Sequence, residues 1–119
     1  MNSETWKVNG CELSLDLGDA DVMERYEKAF EAMSAEEGEI TDDMKQSEKI
    51  RAYCNLYRKL YNRIFGDGTS EKIFADCPES TAVYDDVYYS FLDFVENYVV
   101  GSARRRAEKL AKYRPVNTK

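Results

Sequence analysis

Apolar and polar positions along the chain change rhythm several times, and each change predicts an element. Cys11-Glu12-Leu13-Ser14-Leu15-Asp16-Leu17 alternates strictly, which places Cys11, Leu13, Leu15 and Leu17 on one face of a strand. Before it, Asn9-Gly10 readily takes the positive φ values of a type I′ turn, so Trp6-Lys7-Val8 folds back as the partner strand. A lone hairpin is marginal in water, so the apolar face needs helices to cover it.

From residue 20 the period lengthens to that of a helix. Val22, Tyr26, Phe30 and Met33 fall on one stripe of a first helix, with Asp19 or Asp21 as its N-cap and an end near Met33. The acidic, glycine-containing segment Ser34-Ala35-Glu36-Glu37-Gly38-Glu39-Ile40 reads as a connection. Thr41 is the expected N-cap of a second helix running from Asp42 to about Phe65, with Ile50, Tyr53, Cys54, Tyr57, Leu60, Tyr61 and Ile64 as its apolar stripe.

Gly66-Asp67-Gly68 then breaks the pattern. Gly66 is the expected left-handed residue past the helix end, and Thr69 or Ser70 the cap of a short helix to about Ala75, ended by Cys77-Pro78. Ser80 or Thr81 caps a final long helix whose inner face carries Val83 or Tyr84, Val87, Phe91, Phe94 or Val95, and Tyr98. Gly101 interrupts that pattern where aromatic composition gives way to basic. A kink or a separate basic helix is expected there, with Pro115 as the stop.

These elements predict one α+β domain over residues 1–119: an N-terminal β-hairpin (5–17) packed on a mostly helical bundle of three to four helices (20–100), and a basic C-terminal helix or tail (101–119). The two long helices are expected to lie antiparallel. No apolar run approaches the ~18 residues that span a bilayer, and Met1-Asn2-Ser3-Glu4-Thr5 lacks a signal-peptide pattern, so a cytoplasmic protein with no membrane partner is expected.

Charge adds a polarity to this picture. Residues 1–50 carry 14 acidic and 5 basic side chains, and residues 51–119 carry 9 and 12. Near the end, Arg104, Arg105, Arg106, Lys109, Lys112, Arg114 and Lys119 are opposed only by Glu108. Two readings stand: a solvated helix end complementing the helix dipole, or a docking arm for an acidic partner or another copy.

Candidate chemistry is sparse. The chain has no histidine, which removes Ser-His-Asp and Cys-His catalysis and histidine metal sites. Cys11, Cys54 and Cys77 lack CxxC spacing and read as buried free thiols. Gly66-Asp67-Gly68-Thr69 lacks the GK[ST] ending and the preceding strand of a phosphate loop. Adjacent carboxylates such as Asp85-Asp86 point about 100° apart on a helix and share no site. No enzyme, no cofactor and no metal is expected, and the net charge of −6 argues against nucleic acid. Nine tyrosines, crowded on the second and last helices, suit a surface apolar on one side and wet on the other.

Three segments carry a family resemblance. Trp6-Lys7-Val8-Asn9-Gly10-Cys11-Glu12-Leu13 is similar to an "ING-x-E-Y/L" hairpin, Ile64-Phe65-Gly66-Asp67-Gly68-Thr69-Ser70-Glu71-Lys72-Ile73-Phe74 resembles "FGEGTAEKIFG", and Phe91-Leu92-Asp93-Phe94-Val95 matches "F-x-x-F-V/I". Together they resemble an uncharacterised group of small proteins from the tail-assembly region of phages and prophages of Gram-positive bacteria. Roughly residues 5–100 are covered, without the basic tail. The resemblance implies a non-enzymatic tail-assembly-chaperone-like protein of the host cytoplasm, binding apolar segments of a tape-measure or tail-tube protein. Tyr57, Tyr61, Tyr88 and Phe91 are the expected contact residues, with Arg104, Arg105 and Arg106 attracting an acidic partner. The alternative is an oligomeric bacterial adaptor or regulatory interaction domain, with a homo-oligomer as partner.

Overall fold

The computed structural model describes residues 4–113. Strands β1 (Glu4–Val8) and β2 (Cys11–Leu15) form an antiparallel hairpin, followed by helices α1 (Ala20–Glu37), α2 (Gln46–Phe65), α3 (Thr69–Ile73) and α4 (Thr81–Tyr113). This is the α+β arrangement that the hydrophobic pattern predicts. Asn9 and Gly10 take φ of 48° and 80°, both positive as a type I′ turn requires. Pairing of Trp6 with Leu13 and Val8 with Cys11 then sets one face inward: Trp6, Val8 and Leu15 are buried, and Leu17 beyond the strand joins them.

The starts of α1 and α2 show local chemistry choosing among candidates. At α1, Asp19 is the cap, its carboxylate accepting from the amides of Asp21 (2.9 Å) and Val22 (3.2 Å). That helix runs four residues past Met33, because Glu36 is held from α2 by Arg63 (2.7 Å) and Lys59 (3.8 Å). The second helix begins at Gln46 and not at Asp42. Residues 41–44 close a turn of their own, with the Met44 amide donating to the Thr41 carbonyl and the Thr41 hydroxyl to Asp43. The Glu48 carboxylate instead accepts from the Lys45 amide at 2.8 Å and so marks the start.

At the glycine hinge the left-handed residue is Gly68 and not the expected Gly66. Gly66 has positive φ (119°) but ψ of 159°, a region that only glycine enters readily, while Gly68 (φ 90°, ψ −11°) is the left-handed residue and the N-cap of α3. Neither Thr69 nor Ser70 caps that helix through its hydroxyl. The Ser70 amide donates to the Asn62 side chain at 2.8 Å, a cap supplied from α2.

After α3 the chain runs back along α2. Arg51 and Arg58 clamp Glu79 at 2.8 Å and 3.1 Å, so α4 starts beside the first half of α2, its Ser80 hydroxyl accepting from the Val83 amide. Contacts then advance together: Tyr57 meets Asp85 and Tyr88, and Tyr61 and Phe65 meet Phe91. The two long helices therefore run in the same direction, against the antiparallel expectation, because residues 66–80 carry the chain back before α4 begins. The antiparallel neighbour of α2 is α1, where Arg25 donates to the Ile64 carbonyl (2.9 Å) and Glu36 meets Lys59 and Arg63. Arg25 also places a cation at the C-terminus of α2, where unpaired carbonyls favour it.

The core forms where the hairpin, α2, α3 and α4 meet. Phe91, Tyr61, Leu60 and Cys54 have no exposed surface, and the Trp6 ring lies 5.0 Å from Phe91 and 5.5 Å from Tyr61. Its indole nitrogen donates to Ser90 at 3.0 Å, which satisfies the one polar atom it buries. Asn9 donates to the Ile73 carbonyl (2.9 Å), and Phe74 stacks on Tyr84 at 3.8 Å. Thus the three segments that carry the family resemblance pack on one another. Cys54 is buried, whereas Cys11 and Cys77 are only half-buried, so the expectation of three buried thiols holds for one.

Helix α4 passes through Gly101 as one helix, so the basic part is not the separate helix that is one of the two expectations there. A glycine costs about 1 kcal/mol relative to alanine in a helix, and Ala103 to Lys112 is rich in strong helix formers, so one weak position does not end it. Its last buried residue is Tyr98, anchored by its hydroxyl on Asp16 at 2.9 Å. Beyond that point α4 projects from the body, and the 18.1 Å radius of gyration exceeds the ~13 Å of a compact chain this long. Pro115 and the charges at Arg114 and Lys119 lie outside the described residues.

Candidate functional site

Helical spacing stacks Tyr53, Tyr57 and Tyr61 one turn apart on α2, and the same-direction α4 sets Tyr84, Asp85 and Tyr88 against them. Tyr57 donates its hydroxyl to Asp85 at 2.7 Å and lies 5.0 Å from the Tyr88 ring. Burial, then the Asp85 carboxylate, push its phenol far above the usual tyrosine range, so it stays a neutral donor. On the outer side of this pair opens a groove of about 290 Å³, lined by Lys49, Ile50, Tyr53, Tyr57, Thr81 and Asp85. Ile50, Tyr53 and Tyr57 give it apolar surface and Lys49, Thr81 and Asp85 polar groups, and its size admits one or two side chains of a ligand.

The residues expected to form one contact surface divide into three places. Tyr61 and Phe91 are fully enclosed in the core. They hold the fold and are closed to a partner, because the hairpin and α3 cover the face that their periodicity marks as apolar. Tyr57 is 9% exposed and forms the groove wall, and Tyr88 is half-buried beside it. Arg104, Arg105 and Arg106 are exposed on the projecting part of α4. At ~1.5 Å per residue they lie nearly 30 Å along the helix from Asp85, so they do not rim the groove.

A larger concavity of about 460 Å³ lies between α1 and α2, lined by Asp21, Glu24, Arg25, Lys28, Ala29 and Arg63. Its charges alternate in sign, and Glu24 and Lys28 pair with each other at 3.6 Å. Among the described residues no group of three or more acidic or cysteine side chains is placed to hold a metal ion, and no helix is long and apolar enough to cross a membrane.

Other candidate residues lie on the outer face of α4. Tyr89, Leu92, Val99, Val100, Leu110 and Tyr113 are the large apolar side chains exposed on the described molecule, and all belong to this helix. Tyr89 and Leu92 lie three residues apart, as do Leu110 and Tyr113, but the stronger buried stripe of Tyr84, Val87, Phe91 and Tyr98 masks this face in the sequence.

No curated protein and no solved structure matches the chain. Residues 9–119 match a family described as "Family of unknown function (DUF6673)", and the match includes the basic end that the phage-protein resemblance leaves out. Because it covers nearly the whole length, this chain belongs to the DUF6673 family.

Proposed function

We propose that the protein is a non-enzymatic, tail-assembly-chaperone-like binding protein of the bacterial cytoplasm, holding an apolar helical segment of a phage tape-measure or tail-tube protein. The observation that carries this reading is the convergence of the hairpin, hinge and F-x-x-F segments on one core, through Asn9 to Ile73 and Trp6 to Phe91. Segments that resemble one group in sequence order are here the parts that support each other in space. The client would anchor one or two apolar side chains in the groove of Ile50, Tyr53 and Tyr57, with Lys49 and Asp85 among its polar groups.

Co-expression with a tape-measure or tail-tube protein, taken from the genome that encodes this chain, tests the proposal. The two proteins should co-purify, and Tyr53→Ala should raise the off-rate by about tenfold while leaving the fold intact, since Tyr53 is only half-buried. If no tail protein of that genome co-purifies or gains solubility, the reading fails and an oligomeric adaptor replaces it.

A further inference from the structure

We propose that α4 is also a self-association element, pairing antiparallel with α4 of a second copy about a centre at Gly101. The large exposed apolar side chains fall on one stripe: Tyr89, Leu92, Val99, Leu110 and Tyr113 follow a three-four rhythm that Glu96, Ala103 and Arg106 complete. That rhythm is the seam of a two-helix coiled coil. It lies opposite Tyr84, Val87, Phe91 and Tyr98, which face the protein's own core, so the seam is open along its whole length of roughly 36 Å.

The occupant follows from the order of residues along the seam. Read backwards about Gly101, the rhythm is unchanged, so an antiparallel second copy sets Tyr89 beside Tyr113, Leu92 beside Leu110 and Val99 beside Ala103. The sixth exposed residue, Val100, then meets its own counterpart next to the two-fold axis. The two charged seam positions become partners, Glu96 of one copy against Arg106 of the other. A parallel pairing would set Glu96 on Glu96 and Arg106 on Arg106.

Charge on the flanks gives the same orientation. Along α4 up to residue 103 the charged residues are Asp85, Asp86, Asp93 and Glu96, all acidic. From Arg104 to Tyr113 they are five cations and Glu108. Antiparallel pairing lays each acidic half on the partner's basic half. Charged residues within a seam lower its stability but select its register, the use expected of two symmetric Glu96–Arg106 layers. Each globular body is held by Tyr84, Val87, Phe91 and Tyr98, on the face of α4 away from the seam.

Sedimentation equilibrium of the full chain, from micromolar to hundreds of micromolar, tests the proposal. A reversible dimer is expected, weakening as salt is raised. Glu96→Arg and Arg106→Glu should each weaken it by about tenfold or more, since each puts like charges in both layers. The double variant Glu96→Arg with Arg106→Glu should return to within about threefold of the parent. All three variants should keep the parent's unfolding temperature in dilute solution, because both side chains are exposed. A chain monomeric throughout, a larger oligomer, single variants without effect, or a double variant that does not recover would each overturn it.

Discussion

Over residues 81–98, α4 buries Tyr84, Val87, Phe91 and Tyr98, whereas over residues 99–113 it buries no side chain. The first stretch is rich in valine, tyrosine and phenylalanine, which lose rotamer freedom in a helix and are weak helix formers. Tertiary packing holds it. The second stretch is mostly alanine, arginine, lysine, glutamate and leucine, which extend an existing helix at little cost once its nucleus is formed elsewhere. One backbone thus joins a segment that is helical because it is packed to one that is helical because of its composition. The packed segment completes the domain, and the other is left to meet something outside it.

The largest test of this contrast compares a truncation in each stretch. Phe91→Ala, at a fully buried ring touching Trp6, Tyr61 and Phe65, should lower unfolding free energy by about 3–5 kcal/mol in urea titration. Leu110→Ala in the monomer should stay within about 0.5 kcal/mol. Comparable losses at the two sites would mean that the projecting part is packed on the body after all.

Gly66→Val should cost about 1–3 kcal/mol, because φ of 119° with ψ of 159° is closed to a β-branched residue. Open space surrounds the missing Cβ, so the cost is one of backbone conformation and not of collision. An unchanged urea midpoint would contradict that assignment.

Tyr61 supplies a sharper contrast with its neighbour Tyr57. The Tyr61 hydroxyl is buried without a hydrogen-bond partner, and desolvation pushes its phenol far up, whereas the Tyr57 hydroxyl is bonded to Asp85. Tyr61→Phe should leave stability unchanged or raise it by about 1 kcal/mol, while Tyr57→Phe should lower it by about 1 kcal/mol. The same loss from both would show that the Tyr61 hydroxyl has a partner.

The smallest effect lies at the α1–α2 contact. The Arg63 hydrogen bond, more than the nearby charges, holds the Glu36 carboxyl below its usual range. A carboxyl with a lowered folded-state pKa stabilises the fold above its unfolded pKa, and that contribution fades as pH falls from about 4.5 toward the lowered value. Glu36→Gln should flatten this part of the acid-unfolding curve and cost under about 1 kcal/mol at neutral pH, as expected for a partly exposed pair. An acid limb identical in parent and variant would rule the pair out as a contributor.

Much of the fold was legible in the sequence, and the misreadings have specific causes. The Asn9-Gly10 turn and the alternation of residues 11–17 are local signals with one good solution. The start of α2 was misplaced because Thr41-Asp42-Asp43 has the chemistry of a helix cap and uses it in a turn. Trp6 was not singled out as core, since three residues before a turn show no period and its partner Ser90 is 84 positions away. Periodicity revealed that one face of α2 is apolar but not what covers it. That is why Tyr61 and Phe91 could pass for contact residues, although the hairpin and α3 enclose them. The direction of α4 shows in long-range contacts that no local pattern encodes, Arg51 and Arg58 with Glu79 and Tyr61 and Phe65 with Phe91.

Hydrogen exchange along α4, followed at low and high protein concentration, tests the division of this helix most directly. Amides up to about Tyr98 should exchange only through global unfolding at either concentration. Those of residues 102–113 should exchange far faster in dilute solution and gain protection as concentration rises and the second copy covers the seam. Uniform protection from Thr81 to Tyr113, independent of concentration, would contradict the account.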